Sequence, residues 1–418
     1  MVNVFILTLK RVAALAALAA TGAFAQSTVT IYGQADAAYT SVKSGANKLT
    51  GLVGAGRGSN FVGFMGSEDL GGGLKANFKL EAGYNLDNGT GAASNTNNQI
   101  TGAPQTVSNS SATTSSATTL VNSTTTAATT QDRFSMAGGQ GLTFNRWSYV
   151  GLSGGFGEVR VGREYTPTFQ AVLGADTTGA NGVQNTLFQT LYLGQANSHA
   201  TATSASNGVS YESPSFNGLK VKIQTFFGEN VTPISTANST TLTGKSGDGN
   251  SYHVSYAAGK LSAGFGAQKT KGTNIAASAG VAQVPGQYEV STAYAKYDLG
   301  MALVTAGTVK EEITLSTGLS DNKSNILGVS IPVSGALKVN GTYTKSKYRV
   351  AGTLTAAASQ LGVQALYSLS KRTDLYANYA VTDNSTGTSY GIGNGSGRLV
   401  TVSGNKSTAY QAGIRHNF

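Results

Sequence analysis

Apolar and polar positions alternate along most of this chain. From Thr28 to Asp36, Val29, Ile31, Gly33 and Ala35 share one parity, while Thr28, Thr30, Gln34 and Asp36 share the other. From Lys75 to Asn85, Ala76, Phe78, Leu80, Ala82 and Tyr84 oppose Lys75, Asn77, Lys79, Glu81 and Asn85. The last residues repeat the pattern, with Tyr410, Ala412, Ile414 and Phe418 on one side and Gln411, Arg415 and Asn417 on the other. A period of two over such lengths predicts strands with one apolar and one wet face. Sixteen are expected, centred near Ile31, Phe64, Leu80, Tyr149, Val161, Tyr211, Ile223, Val254, Phe265, Ala293, Val304, Leu327, Gly341, Gln364, Ala377 and Gly413. Tight connections at Gly71-Gly72-Gly73, Gly154 to Gly157, Phe216-Asn217-Gly218 and Lys371-Arg372-Thr373 alternate with long polar stretches. Short turns at one end, long loops at the other and an even strand number predict an all-β fold: a 16-stranded antiparallel transmembrane β-barrel, wide enough for a water-filled channel.

The N-terminus is different. Lys10 and Arg11 precede a short apolar run from Val12 to Thr21, and Ala23-Phe24-Ala25 is a small-x-small site. This reads as a secretory signal peptide over residues 1–25, leaving a barrel domain at 26–418. A membrane-spanning helix needs about 20 apolar residues, more than this run supplies.

Composition narrows the class. Only 11% of residues are charged and 55 are glycine, against about a quarter charged in a typical soluble domain. No later segment is apolar enough for a membrane helix. A barrel fits both facts, because lipid-facing positions are averaged with lumen-facing ones. There is no cysteine, hence no disulfide and no thiolate metal site. The net charge is +10. Its basic residues are scattered at strand spacing without a cluster, so they read as lumen and rim charges and no nucleic acid partner is expected.

Residues 88–128 are almost all Thr, Ser, Ala, Asn and Gly. Such a stretch buries too little apolar surface to offset ordering and is expected to be a long extracellular loop. The three histidines, His199, His253 and His416, are too scattered for a metal site. The run Gly391 to Gly397 lacks the Gly-Lys-Ser/Thr ending of a phosphate cradle. No catalytic set and no cofactor site is expected.

Several segments resemble the general porins of β-proteobacterial outer membranes. Gly66 to Ala76 looks like that family's second hairpin, and Phe144 to Leu152 with Gly155-Phe156-Gly157 looks like its fourth strand and turn. Val161 to Pro167 is similar to the entry into its third loop, and Tyr211 to Gly218 to the hairpin that follows. Leu369 to Tyr376 and the closing Gly413 to Phe418 match as well, so the likeness runs through the mature chain in order. The resemblance implies a homotrimer and a third loop, about Tyr165 to Asn207, folded inward to narrow the pore. It implies passive diffusion of small hydrophilic solutes and ions across a Gram-negative outer membrane, in contact with membrane lipid and lipopolysaccharide. It also implies delivery by the barrel-assembly machinery, with Phe418 as the terminal signal.

In that family a basic wall faces acidic residues on the loop. Arg146 matches the fourth-strand pore arginine. By parity it lies with Ser148 and Val150, opposite Trp147 and Tyr149, and is assigned to the lumen. Glu81 on the neighbouring inner surface, and Asp176 or Glu164 on the loop, are the acids expected to face it. The departures are Phe61 and Met65 where the family carries basic residues on strand two, and Ala205-Ser206-Asn207 where it opens strand six with an arginine. Phe61 and Met65 read either as pore-lining or as signs of a bulge. Arg160 and Lys79 are the compensating cations, and a weakened anion preference is expected. Arg163 shares the parity of Val159 and Val161, which point to lipid or a neighbour; it reads either as a lipid-exposed arginine near the rim or, as the favoured reading, as a subunit contact with a carboxylate. The competing readings are a surface barrel acting as an adhesin through its Thr-rich loop, and a barrel enzyme, for which no convincing Ser/His or Asp/His set is present.

Overall fold

A computed structural model describes residues 28–92, 98, 142–179, 181–191, 201–228, 247–273, 285–315, 318–386, 388, 390–392 and 404–418. The expected signal peptide, most of the Thr-rich segment, His199 and most of Gly391 to Gly397 lie outside these residues.

Among the described residues there are seventeen strands. They are β1 (Thr28–Ser44), β2 (Asn47–Gly54), β3 (Phe61–Gly71), β4 (Leu74–Gly83), β5 (Trp147–Gly154), β6 (Gly157–Tyr165), β7 (Ser204–Glu212), β8 (Leu219–Phe226) and β9 (Gly249–Ala258), followed by β10 (Leu261–Thr273), β11 (Pro285–Asp298), β12 (Leu303–Leu315), β13 (Gly318–Pro332), β14 (Leu337–Val350), β15 (Thr353–Ser368), β16 (Thr373–Asn384) and β17 (Ser407–Asn417). Two helices, α1 (Pro167–Ala175) and α2 (Leu187–Thr190), lie between β6 and β7.

Pairing is antiparallel between chain neighbours, and β17 closes on β1 from Gln34↔Asn417 to Ser44↔Ser407. The barrel has sixteen staves, because β2 and β3 form one stave between them. β2 pairs with the upper half of β1, from Ala37↔Gly54 to Ser44↔Asn47, and β3 with the lower half, from Thr28↔Ser67 to Gln34↔Phe61. All sixteen expected strand centres fall within strands. The interruption at 55–60 is the feature that alternation did not foretell.

The alternation has the physical meaning expected of it. Val29, Ile31, Val150, Leu152, Val161, Ile223, Leu327, Leu361 and Ile414 are exposed on the outer face, an apolar belt of the kind that faces lipid. Gln34, Gln360, Gln364, Asn322, Asn340, Ser324 and Thr344 are on the inner face, shielded from the outer solvent. No described helix is long and apolar enough to cross a membrane, which leaves the strands to do so.

The apolar core lies inside the barrel. Phe169, Val172 and Ala175 of α1, with Leu187 and Leu191, pack on Tyr288 and Val290 of β11, Val309 and Ile313 of β12 and Ile326 of β13. These inward strand positions are apolar because a loop covers them, and burying each such side chain contributes about 1.5–3 kcal/mol. Helix α1 starts where the sequence allows it. Thr166 caps it by accepting the Phe169 N–H at 3.2 Å, and Pro167 occupies the first turn. Gly266 of β10 admits the helix, since a side chain there would run into Ala171.

Candidate functional site: the pore constriction

Two segments enter the lumen. The first is the loop between β6 and β7, which runs along the inner wall from β9 to β17. Thr177 donates to the Gly341 carbonyl at 3.1 Å, and Ser324 and Ser346 both donate to the Gln189 carbonyl at 3.0 Å. The Val183 N–H reaches Gln411 at 3.4 Å. The channel therefore passes between this loop and the wall formed by β1 and β3 to β8.

The second segment is the break between β2 and β3. Its backbone folds inward over Asp36, whose carboxylate accepts the N–H groups of Gly56 at 3.2 Å, Arg57 at 2.9 Å and Gly58 at 2.7 Å, together with the Tyr376 hydroxyl. Asn378 donates to the Gly56 carbonyl, and Gln34 to the Ser59 carbonyl. The tip of the third loop rests on this lobe. Ser59 donates to Asn181 at 3.4 Å, and Gly182, at φ +83°, leaves no room for a side chain beside the Gly56 carbonyl.

The charges along the wall are paired. Glu81 accepts Lys79 at 2.8 Å, Arg146 at 3.2 Å and the Tyr32 hydroxyl at 2.7 Å. Arg160 contacts Glu158 at 2.6 Å, Glu212 at 3.2 Å and Glu164 at 3.3 Å. Lys222 holds Glu164 at 2.7 Å, and Ser210 donates to the same carboxylate. At the edge of the lobe, Arg57 and Arg415 share Asp374 at 2.7 and 2.5 Å. Aromatic rings interleave with these ions. Lys79 lies 4.4 Å from the Trp147 ring, and Arg146 lies 4.9 Å from Phe61 and 5.7 Å from Tyr165.

Arg146 projects into the lumen, but the parity argument was inverted. Val150 and Leu152 are the outward residues of β5, while Trp147, opposite Glu81, is inward. Arg146 sits one residue before β5, where strand alternation does not yet bind it, and it folds inward onto Glu81. Phe61 and Met65 lie on the inner face in unbroken register with Gly83 and Lys79. That pairing shifts only between Asp69 and Gly71, so no bulge disturbs them.

Asp176 requires a correction. It is buried within the loop, accepting both the backbone N–H and the hydroxyl of Thr178 and the hydroxyl of Thr186, and it does not face Arg146. Burial pushes its carboxyl up from the ordinary value against those hydrogen bonds. Glu164 is the penultimate residue of β6 and is engaged by Lys222 and Arg160; it is not a loop acid opposing the wall. Arg163 also differs from expectation. The register of β6 against β7 shifts between Gly162 and Glu164, and a bulge re-aims side chains. Arg163 is 7% exposed within its own chain and donates to the Asn145 carbonyl and the Ser206 hydroxyl, so it is not presented outward to a neighbouring subunit.

Glu158, Glu212, Lys222, Asp374 and Arg415 were missed, although their inward parity was readable. Arg57 gave no such signal, because it lies in the break between strands.

A closed sixteen-stave barrel with an apolar outer belt, a polar interior and an inward-folded loop defines an outer-membrane diffusion channel. The comparisons agree. A family model described as Gram-negative porin matches residues 12–388. Outer membrane porin protein 32 of Delftia acidovorans is 30% identical over 416 residues, covering 98% of this chain and 99% of that one. The solved anion-selective porin from Comamonas acidovorans superposes with a TM-score of 0.72 at 27% identity, covering 94% of this chain and 100% of that one. OmpT of Vibrio cholerae, at 14% identity and a TM-score of 0.60 over 94% of this chain and 98% of its own, shares the fold. The chain belongs to the Gram-negative porin family, and it is an outer-membrane barrel for passive diffusion of small hydrophilic solutes.

Proposed function

We propose that this porin is a weakly anion-preferring channel, without enzymatic activity, whose selectivity is set where Arg146, Lys79 and Glu81 face the third loop. The carrying observation is that Lys79 and Arg146 share the single carboxylate of Glu81, so one positive charge at the eyelet is not matched. Arg160, by contrast, meets three carboxylates. The loop side adds no opposing acid, since Asp176 is turned into the loop itself. Fixed charges act on permeating ions within about 8–10 Å at physiological salt, so this local balance outweighs the net charge of the chain. Phe61 and Met65 line the same wall and dilute its charge. The Comamonas porin is described as anion-selective; the Phe61 and Met65 positions support a weaker preference here.

The reading extends to assembly. Residues 1–25 act as the cleaved leader, the apolar belt contacts lipid and lipopolysaccharide, and Phe418 serves the barrel-assembly machinery. Three copies associate, as in the trimer form described for OmpT of Vibrio cholerae. The test is planar-bilayer recording in a potassium chloride gradient. Stepwise conductance with a modest chloride preference is expected; a cation-selective reversal potential overturns the assignment.

A further inference from the structure

The wall opposite the third loop carries half-buried aromatic rings and one exposed thioether beside its ion pairs. Met65, Lys79 and Tyr149 stand in one inward row across β3, β4 and β5, and Gly63, Glu81 and Trp147 stand in the next. The Tyr32 ring lies over Gly63, where any side chain would collide with it, and meets Phe61 edge-on at 5.8 Å. Trp147, the one tryptophan of the chain, meets Tyr149 at 5.8 Å and Tyr165 at 5.1 Å. Met65 is 41% exposed on this face although it points into the channel.

Apolar surface facing an aqueous channel is unfavourably hydrated unless something covers it. Here it surrounds the spot where two cations share one carboxylate. We propose that this wall is a binding station for planar aromatic monocarboxylates, a solute class that refines the diffusion reading and rests on it. The carboxylate answers the unmatched charge of Lys79 and Arg146. Its ring lies along Phe61 and Met65, where sulfur–aromatic and ring–ring contacts form. An aliphatic anion of equal size gains the charge contact and the apolar contact but not the contacts specific to a π face. Acetate gains the charge alone. Sugars gain neither the charge nor an extended ring stack. The neighbouring charges do not compete for the solute: Lys222, 5.8 Å from the Trp147 ring, and Arg160 are both held by Glu164.

The experiment titrates chloride current through the reconstituted full-length barrel with potassium benzoate, potassium cyclohexanecarboxylate and potassium acetate. Benzoate is expected to reduce the current at a concentration about three- to tenfold below that of cyclohexanecarboxylate, the factor an aromatic contact supplies, with acetate weakest. In Phe61→Ser/Met65→Ser, verified as folded by heat-modifiable gel mobility, the benzoate advantage is expected to vanish. Should that pair not fold, Met65→Gln alone is expected to reduce the advantage. Equal block by benzoate and cyclohexanecarboxylate in the unaltered protein, or an advantage untouched by the folded substitutions, overturns the station and leaves the channel reading standing. A folded barrel with no chloride current at all overturns the channel reading itself.

Discussion

The Asp36 carboxylate and the Arg57 backbone N–H are joined at 2.9 Å on the inner face of the barrel wall. With the flanking N–H groups of Gly56 and Gly58, this bond makes Asp36 the anchor of an inward lobe that belongs to neither β2 nor β3. Hydrogen bonds to a charged acceptor are worth about 1.5–3 kcal/mol each, and orphaned buried donors add to the loss. Asp36→Ala is therefore expected to lower barrel stability by about 3 kcal/mol in urea unfolding. Because the lobe then retracts from the channel, single-channel conductance is expected to rise. Asp36→Asn, which keeps one acceptor oxygen, is expected to fall between the two.

The same lobe supports the third loop through Gly182. A methyl group at that position meets the Gly56 carbonyl, in a backbone conformation that L-residues seldom adopt. Strain of this kind costs about 1–3 kcal/mol, and the loop tip relieves it by leaving the lobe. Gly182→Ala is expected to give a less stable barrel with noisier open-channel current. Quiet current at unaltered stability would show that the tip does not depend on the lobe.

Phe418 closes the seam between the first and last strands. Its backbone donates to Gly33 at 3.1 Å and accepts from Gly33 at 3.0 Å, and its ring fills the space a Gly33 side chain would need. Deleting Phe418 removes two closing hydrogen bonds along with the terminal aromatic. The amount of heat-modifiable barrel recovered from outer membranes is expected to fall severalfold. Phe418→Ala, which keeps both backbone hydrogen bonds to Gly33 but removes the ring, is expected to reduce it less.

The staves were readable in the sequence because lipid on one side and water on the other impose a period of two that no competing interaction disturbs. Readability fails where strand geometry fails. Arg57 lies in the break at 55–60, whose inward fold depends on Asp36, about twenty residues earlier in the chain, and on Tyr376 of β16, brought beside β1 only by barrel closure through β17. Arg163 follows parity until a bulge re-aims it. Arg146 stands outside β5, and its direction is set by Glu81, not by alternation. Asp176 looked like a pore acid because sequence does not reveal that Thr178 and Thr186 satisfy it within the loop. Inward apolar positions such as Val309 and Ile326 break the wet-face rule for a related reason, since α1 and α2 cover them.

Selectivity tests the eyelet most directly. Arg146 and Lys79 share Glu81 at 3.2 and 2.8 Å, so removing one member changes the local charge by a full unit. A unit charge about 6 Å from a permeating ion in water contributes about 0.7 kcal/mol before screening, which roughly halves it at physiological salt; acting with opposite sign on chloride and potassium, it changes their permeability ratio by about 0.7 kcal/mol, roughly threefold. Arg146→Ala leaves Glu81 with Lys79 alone, and the chloride-to-potassium permeability ratio is expected to fall about threefold. Glu81→Gln frees both cations and is expected to raise the ratio by a similar factor. Phe61→Arg returns a cation to a position directly across from Gly83 on the same inner face and is also expected to raise it. Reversal potentials in a tenfold salt gradient report all three. Opposite signs for Arg146→Ala and Glu81→Gln locate the selectivity filter at this pair. Reversal potentials unmoved by all three substitutions would place the filter elsewhere, with the Arg57, Arg415 and Asp374 cluster beneath the lobe as the next wall to examine.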